Sequence, residues 1–202
     1  AQWSPNTTEV TLSRNGGTTP DQVVVATFDA QMPGTTKVAA ALTKPERLGY
    51  SFAGYYDNSG NEYYDAHLNS LKTWDKDEAT SMLYARWSPN DIEVTLNQMG
   101  GSGGSEMVVA AYDADMPEAV MPTRIGYTFA GYYDNVDPSA AGATMYYNPD
   151  GSSAHFWDKH TASTLYAAWT ANTYQVTLNT DGGTIAEGKE VTEYVYGVGA
   201  VL

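Results

Sequence analysis

The chain contains no cysteine among its 202 residues. Disulfides, thiolate metal sites and cysteine nucleophiles are thereby excluded together. Basic residues are scarce as well: ten Lys and Arg stand against 24 Asp and Glu, a formal net charge of −14. They are also scattered, which disfavours nucleic acid as a partner, because phosphate binding draws its strength from clustered Lys and Arg. An anionic membrane surface is disfavoured on the same ground. No apolar run approaches the ~20 residues that cross a bilayer, and no signal peptide is visible. Phenylalanine is rare, with four residues against 16 Tyr and 5 Trp. What the chain does have is a hydrophobic content of 42%, enough for a packed core. Length alone allows one large domain or two small ones.

Internal repetition decides between these. The segment GYSFAGYYDN at Gly49–Asn58 returns as GYTFAGYYDN at Gly126–Asn135. EVTLSRNGG at Glu9–Gly17 returns as EVTLNQMGG at Glu93–Gly101 and again as QVTLNTDGG at Gln175–Gly183. LYARWSPN (Leu83–Asn90) returns as LYAAWTAN (Leu165–Asn172), and Tyr63–Lys76 aligns without a gap on Tyr146–Lys159. The expected organisation is the tail of a preceding repeat at 1–7, a first module at 8–90, a second at 91–172, and the N-terminal half of a third at 173–202. The chain thus reads as a window from a longer tandem array. Negative charge is unequally shared, −3 over residues 1–87 and −8 over 88–170, which speaks against a charge-reading site common to both copies.

Each module reads as mainly β. Val10 and Leu12 alternate with polar neighbours, as in a half-buried strand, and Asn15-Gly16-Gly17 supplies a tight turn. Val23–Phe28 is the returning strand. Thr36–Lys44 is expected to form a short, variable crossover helix, reduced to barely one turn at Glu118–Met121 in the second copy. A strand through Tyr50–Tyr56 places Tyr50, Phe52, Gly54 and Tyr56 on one face and Tyr55 on the other. Met82–Trp87 closes the sheet, with Leu83, Ala85 and Trp87 inward. Tyrosine suits such a thin sheet, its ring inside and its hydroxyl wet.

These blocks carry a pattern. The VTLNxxGG opening, the RxGYxFxGYY centre with Arg47/Arg124 and Gly49/Gly126, and the LYAxW ending resemble the Listeria–Bacteroides repeat, the family of the internalin B B-repeats. The match covers nearly the whole chain. It departs from the family at Tyr55-Tyr56, where Trp-Tyr is more usual, and in the length of both copies. The resemblance implies tandem β-grasp-like (ubiquitin-like) modules of mixed sheet, α+β in class. It also implies a non-enzymatic region of a bacterial cell-surface protein, extracellular, acting as stalk or spacer and in adhesion. The family carries no catalytic residues and no cofactor. The partners it implies are neighbouring repeats, with a host or cell-wall glycan or protein as a further candidate.

Chemistry in the residues themselves is sparse. His67, His155 and His160 do not recur between copies, so a shared zinc or general-base role is disfavoured. Asp57–Glu62 with Asp65 has the oxygen density of a calcium loop but not the EF-hand spacing, and a structural turn is the preferred reading. Asp134, Asn135 and Asp137 are the corresponding residues of copy two. Lys76 and Lys159 near acids raise a covalent Lys–Asn crosslink, ranked well below an ordinary solvated pair. The tyrosine doublets are the best candidates for a ligand surface, because adjacent strand residues face opposite ways. Tyr55, Tyr56, Tyr63, Tyr64, Tyr132, Tyr133, Tyr146 and Tyr147 are therefore candidate ligand-facing aromatics. They would stack on sugar rings beside the loops after Asn58 and Asn135, but packing against those loops is the preferred reading. The half repeat lacks partner strands and is expected to pair with another module or chain.

Overall fold

The structure, a computed structural model, describes residues 2–34 and 42–201. The chain divides into two compact units, Ala1–Asn90 and Asp91–Leu202. The described residues contain strands and no helix. In the first unit, β1 (Thr7–Ser13) and β2 (Gln22–Thr27) form an antiparallel hairpin over the Asn15-Gly16 turn. β3 (Tyr50–Tyr56), β4 (Glu62–Tyr64) and β5 (Thr80–Pro89) complete a five-stranded mixed sheet in the order β2-β1-β5-β3-β4. β1 and β5 run parallel, and all other neighbours are antiparallel. The second unit repeats this arrangement with β6 (Asp91–Asn97), β7 (Met107–Ala111), β8 (Tyr127–Tyr133), β9 (Met145–Tyr147) and β10 (Ser163–Ala171), in the order β7-β6-β10-β8-β9.

Alternation delivers one face of each sheet to the core. Val10, Leu12, Val24, Ala26, Leu83 and Ala85 are all essentially inaccessible in the first unit. Val94, Leu96, Ala110 and Leu165 take the same places in the second. Above them run edge-to-face aromatic chains. Trp87, Phe52, Tyr55 and Tyr64 follow one another at centroid distances of 5.8, 5.0 and 6.2 Å. Trp169, Phe129, Tyr132 and Tyr147 do so at 5.6, 5.3 and 6.0 Å. Such pairs contribute about 0.5–1.5 kcal/mol each beyond burial.

The strict alternation expected along Tyr50–Tyr56 does not hold, and the reason is a β-bulge. Phe52 pairs with Trp87 and Gly54 with Arg86, so Ala53 is an extra residue without a partner. The phase of the strand slips by one, and Phe52 and Tyr55 both turn inward. A second irregularity follows at once: Tyr55 pairs with Tyr64 and Tyr56 with Glu62, leaving Tyr63 as the extra residue. Adjacent Tyr63 and Tyr64 are consequently both buried. Gly54 makes the first bulge with φ +135°, and a Cβ there would lie 2.5 Å from the Tyr64 carbonyl oxygen. Gly131 repeats it with φ +118° and 2.6 Å to the Tyr147 oxygen.

The crossover differs from expectation. Most of Thr36–Lys44 lies outside the described residues, and Leu42, Thr43 and Lys44 are not helical. In the second unit Glu118–Met121 forms no helical turn. Four residues between Pro117 and Pro122 cannot offset the cost of nucleating a helix. They run extended instead, the Ser105 N–H donating to the Val120 oxygen at 2.9 Å and the Val120 N–H to Ser105 Oγ at 3.0 Å.

The half repeat is also corrected. It builds a small antiparallel sheet of its own from β11 (Thr173–Gln175), β12 (Glu193–Val195) and β13 (Gly199–Val201). The strand expected through Val176–Leu178 is irregular. In both full modules that strand is held by a parallel neighbour, β5 or β10, and β11 has none in this sheet.

One core contact is not shared. The Trp74 indole donates to Thr8 Oγ1 at 2.9 Å, and the Thr8 hydroxyl donates to the Glu78 oxygen at 2.6 Å. Position 8 becomes Ile92 in the second copy, and the buried Trp157 Nε1 has no partner among the described residues.

The two bulges should be intolerant of any side chain. Gly131→Ala is expected to lower the stability of the second unit by more than about 1 kcal/mol relative to Gly142→Ala. Both glycines have positive φ, but Gly142 has open space around it. Thermal unfolding of the two variants measures the difference, and equal losses would refute the bulge constraint.

Candidate functional site

The eight tyrosines do not form one surface. Tyr55, Tyr63, Tyr64, Tyr132, Tyr146 and Tyr147 are buried, each at most 1% exposed. As core residues they present no ring to a ligand, and the reason is the pair of register slips described above. Only Tyr56 and Tyr133 remain half-buried on the outer side of the sheet. The Arg86 guanidinium lies 4.1 Å from the Tyr56 ring centroid.

The hydroxyls of the buried tyrosines are mostly engaged within the protein rather than wet. Tyr63 donates to Asp75 Oδ1 at 2.5 Å and Tyr64 to the Pro33 oxygen at 2.7 Å. Tyr146 donates to Asp158 at 2.5 Å and Tyr147 to the Pro117 oxygen at 2.8 Å. Each doublet thereby ties its strand to the excursion on one side and to the crossover on the other. Tyr132 Oη is buried without a partner among the described residues. Burial pushes the phenols of Tyr55, Tyr132, Tyr146 and Tyr147 up to about 12, and those of Tyr63 and Tyr64 higher still. They stay neutral across the physiological range.

The loop after Tyr56 is organised by one carboxylate. Asp57 is 6% exposed. Its Oδ1 accepts the backbone N–H groups of Ser59 and Asn61, each at 2.9 Å. Its Oδ2 accepts Asn61 Nδ2 and Lys76 Nζ, each at 3.0 Å. Burial works to raise this carboxyl, but the Asn61 amide, the Asn61 N–H and Lys76 outweigh it and hold it far below the ordinary carboxylate range. Asp65 closes a separate turn, accepting the N–H groups of His67 and Asn69 at 2.8 Å. The oxygens that suggested a calcium loop are thus divided between two turns and filled by protein donors. No group of three or more His, Asp or Glu suited to a metal occurs among the described residues.

Copy two preserves the arrangement across its insertion. Asp134 Oδ1 accepts the Thr144 N–H at 2.8 Å, and its Oδ2 accepts Lys159 Nζ at 3.0 Å. The Asp134 N–H donates to the Thr144 oxygen at 3.1 Å, as the Asp57 N–H does to Asn61 at 3.0 Å. Asn135 and Asp137 lie within the bulging segment, where Asp137 accepts the Ser139 N–H at 2.9 Å. Burial opposes ionisation of Asp134, yet the Thr144 N–H and Lys159 bring its carboxyl below the usual range. The Asp57–Lys76 and Asp134–Lys159 pairs were legible in part, because YYDN and WDK recur together. Their pairing was not. The lysines named for a Lys–Asn crosslink each make an ion pair with an aspartate instead, Lys76 with Asp57 and Lys159 with Asp134, both at 3.0 Å. His155 Nδ1 sits 2.6 Å from the Phe156 oxygen, and His160 is exposed.

A cavity of about 240 Å³ lies beside the first loop, lined by Asp57, Asn58, Ser59, Lys76, Glu78 and Met82 among others. The Asp57–Lys76 ion pair belongs to this lining, with Asp57 buried and Lys76 partly exposed. Asp57→Asn should destabilise the first unit by about 1.5–3 kcal/mol, the range for hydrogen bonds to charged groups. Because the folded Asp57 and Asp134 carboxyls are depressed, their stabilisation is present above the unfolded value near 3.9. It is lost as pH falls from there towards the folded values. Unfolding midpoints measured from pH 7 down to pH 2 should therefore drop below about pH 4, and less steeply in the variant. An unchanged profile would contradict the assignment.

The family model for the Listeria-Bacteroides repeat domain matches residues 9–85 and 93–168. Two proteins of Evansella cellulosilytica are each 29% identical to the chain. One is named as a Gly-rich membrane protein and is matched over 192 residues, the other as a membrane protein and is matched over 189. Each match covers 91% of this chain, but only 18% and 24% of the relatives' own lengths. Internalin H of Listeria monocytogenes is 29% identical over 146 residues, 69% of this chain and 22% of that protein. The chain therefore spans about a fifth of the curated relatives it matches. No solved structure matches it. Two full copies of the motif, each folded into the same five-stranded mixed sheet, together with the family match over both, establish that the chain belongs to the Listeria-Bacteroides repeat domain family.

Proposed function

We propose that the chain is a non-enzymatic stalk segment of a bacterial cell-surface protein, its β-grasp-like modules serving as spacers that carry other regions away from the cell. The observation that carries this reading is where the repeated chemistry goes. The residues copied between modules are spent on the core and its supports: the bulge glycines, the tyrosine doublets and the Asp–Lys pairs. The sheet order with a parallel β1–β5 centre supports the β-grasp reading. Extracellular placement and a part in adhesion are carried over from the family, whose matched relatives include an internalin and proteins named as membrane proteins. No helix among the described residues is long and apolar enough to cross a membrane.

A second reading is a glycan- or protein-binding module, and one feature favours it: Tyr56 and Tyr133 are partly exposed beside the loops after Asn58 and Asn135. Small-angle scattering on chains with increasing numbers of repeats separates the two. A spacer gains a constant increment in maximum dimension with each added repeat, and a dimension that saturates would overturn it. A glycan array with the Tyr56→Ala/Tyr133→Ala double variant tests the second reading, which falls if the parent chain shows no binding above background.

A further inference from the structure

The second unit contains an aromatic contact that belongs to neither the module core nor the candidate surface. Gly126 has φ +77°, and a Cβ built on it would lie 2.3 Å from Cγ and Cδ1 of Tyr196. The Tyr196 ring thus rests directly on the glycine backbone. Tyr127 meets that ring edge-on at 5.5 Å between centroids and 80° between planes. Behind it, the Arg124 guanidinium lies 4.0 Å from the Tyr127 ring centroid. Gly197, directly after Tyr196, has φ +74°, and a Cβ there would stand 2.9 Å from Tyr127 Oη.

A single asparagine joins the two sides. The Tyr196 N–H donates to the Asn172 oxygen at 2.9 Å, and the Asn172 N–H donates to the Gly126 oxygen at 2.9 Å. The Thr128 hydroxyl donates to Asn172 Oδ1 at 2.7 Å. Asn172 is the residue between β10, the last strand of module two, and β11, the first of the following repeat. Its main chain and side chain therefore hold the edge of one repeat and the turn of the next in a single hydrogen-bonded set.

We propose that the Arg-x-Gly-Tyr segment at Arg124–Tyr127 is a docking seat for an aromatic side chain delivered by the next repeat, and that Tyr196 is this plug. The contact clamps the half repeat onto module two and limits rotation about Asn172. The parts recur in the other copies. In the first unit Arg47 lies 3.9 Å from the Tyr50 ring centroid, Gly49 has φ +76°, the Asn90 N–H donates to the Gly49 oxygen at 2.9 Å, and Ser51 Oγ lies 2.6 Å from Asn90 Oδ1. The plug position directly follows the second strand of its repeat, and it is aromatic in all three copies as Phe28, Tyr112 and Tyr196. Phe28 already shows the matching backbone bond, its N–H donating to the Asn6 oxygen at 2.9 Å. The seat accordingly reads two features of a partner repeat: a flat ring, and an N–H two strands after the junction.

This goes beyond the spacer reading and stands or falls separately from it. The test is hydrogen exchange by mass spectrometry on the full chain with Tyr196→Ala and Tyr196→Phe. Amides of β12 and of the irregular segment 176–192 should exchange about tenfold faster in Tyr196→Ala and near the parent rate in Tyr196→Phe. Strands β7 and β10 should keep their protection in both variants. Unchanged exchange in Tyr196→Ala would overturn the clamp. Equal loosening of β7 and β10 would overturn it too, because the ring would then belong to the module core. Scattering from longer arrays reads the spacer function without reference to this contact.

Discussion

The bulge at Ala53-Gly54, repeated at Ala130-Gly131, is the constraint on which the rest of each module depends. A regular strand would set Gly54 and Tyr56 beside Phe52 and send Tyr55 to the other face. The extra residue turns Tyr55 inward beside Phe52. The glycine permits the positive φ and the close approach of the Tyr64 carbonyl, neither of which a side chain would allow. Once Tyr55 is inside, Tyr64 has a ring to pack against, and the slip at Tyr63 places a second ring against Trp74. Modules of this size sit near the lower limit for an independent core. They reach it by converting tyrosines that a simple strand would expose into buried, hydrogen-bonded supports.

Much of this was legible in the residues. The repeats, the hairpin at Asn15-Gly16 and the closing strand with Leu83 and Ala85 inward follow from periodicity and spacing, and the quoted motifs carry the resemblance to the family. The ligand-facing tyrosines did not survive, because period-2 reasoning assumes an unbroken ladder and the GYY motif contains a slip that only strand pairing reveals. Gly54 and Gly131, recurring inside an otherwise strand-like run, were the available signal. The crossover helix at Glu118–Met121 failed for a different reason. Local propensity over four residues is weak, and backbone bonds to Ser105 decide the conformation. The Asp57–Lys76 and Asp134–Lys159 pairs were visible as recurring letters but not as partners, since the chain between them bends back through β4.

The two copies also show which contacts the fold can lose. Thr8 gives Trp74 a hydrogen-bond acceptor, while Ile92 leaves Trp157 without one and packs against the core instead. Apolar contact there stands in for a hydrogen bond whose net worth is about 1 kcal/mol. By contrast, the bulge glycines, the buried tyrosines and the carboxylate–ammonium pair at the base of the excursion are the same in both. Surface charge is free to drift, and it does, from −3 in the first ninety or so residues to −8 in the next stretch.

The Asp134–Thr144 pair closes the base of a loop that has grown by six residues relative to Asp57–Asn61, with its backbone bonds intact. A loop whose foot is clamped in this way is mechanically insulated from the sheet beneath it. Sequence can accumulate at its tip, or be exchanged there, without reaching the aromatic core. Within an array of near-identical modules, this is where individual copies can become different from one another.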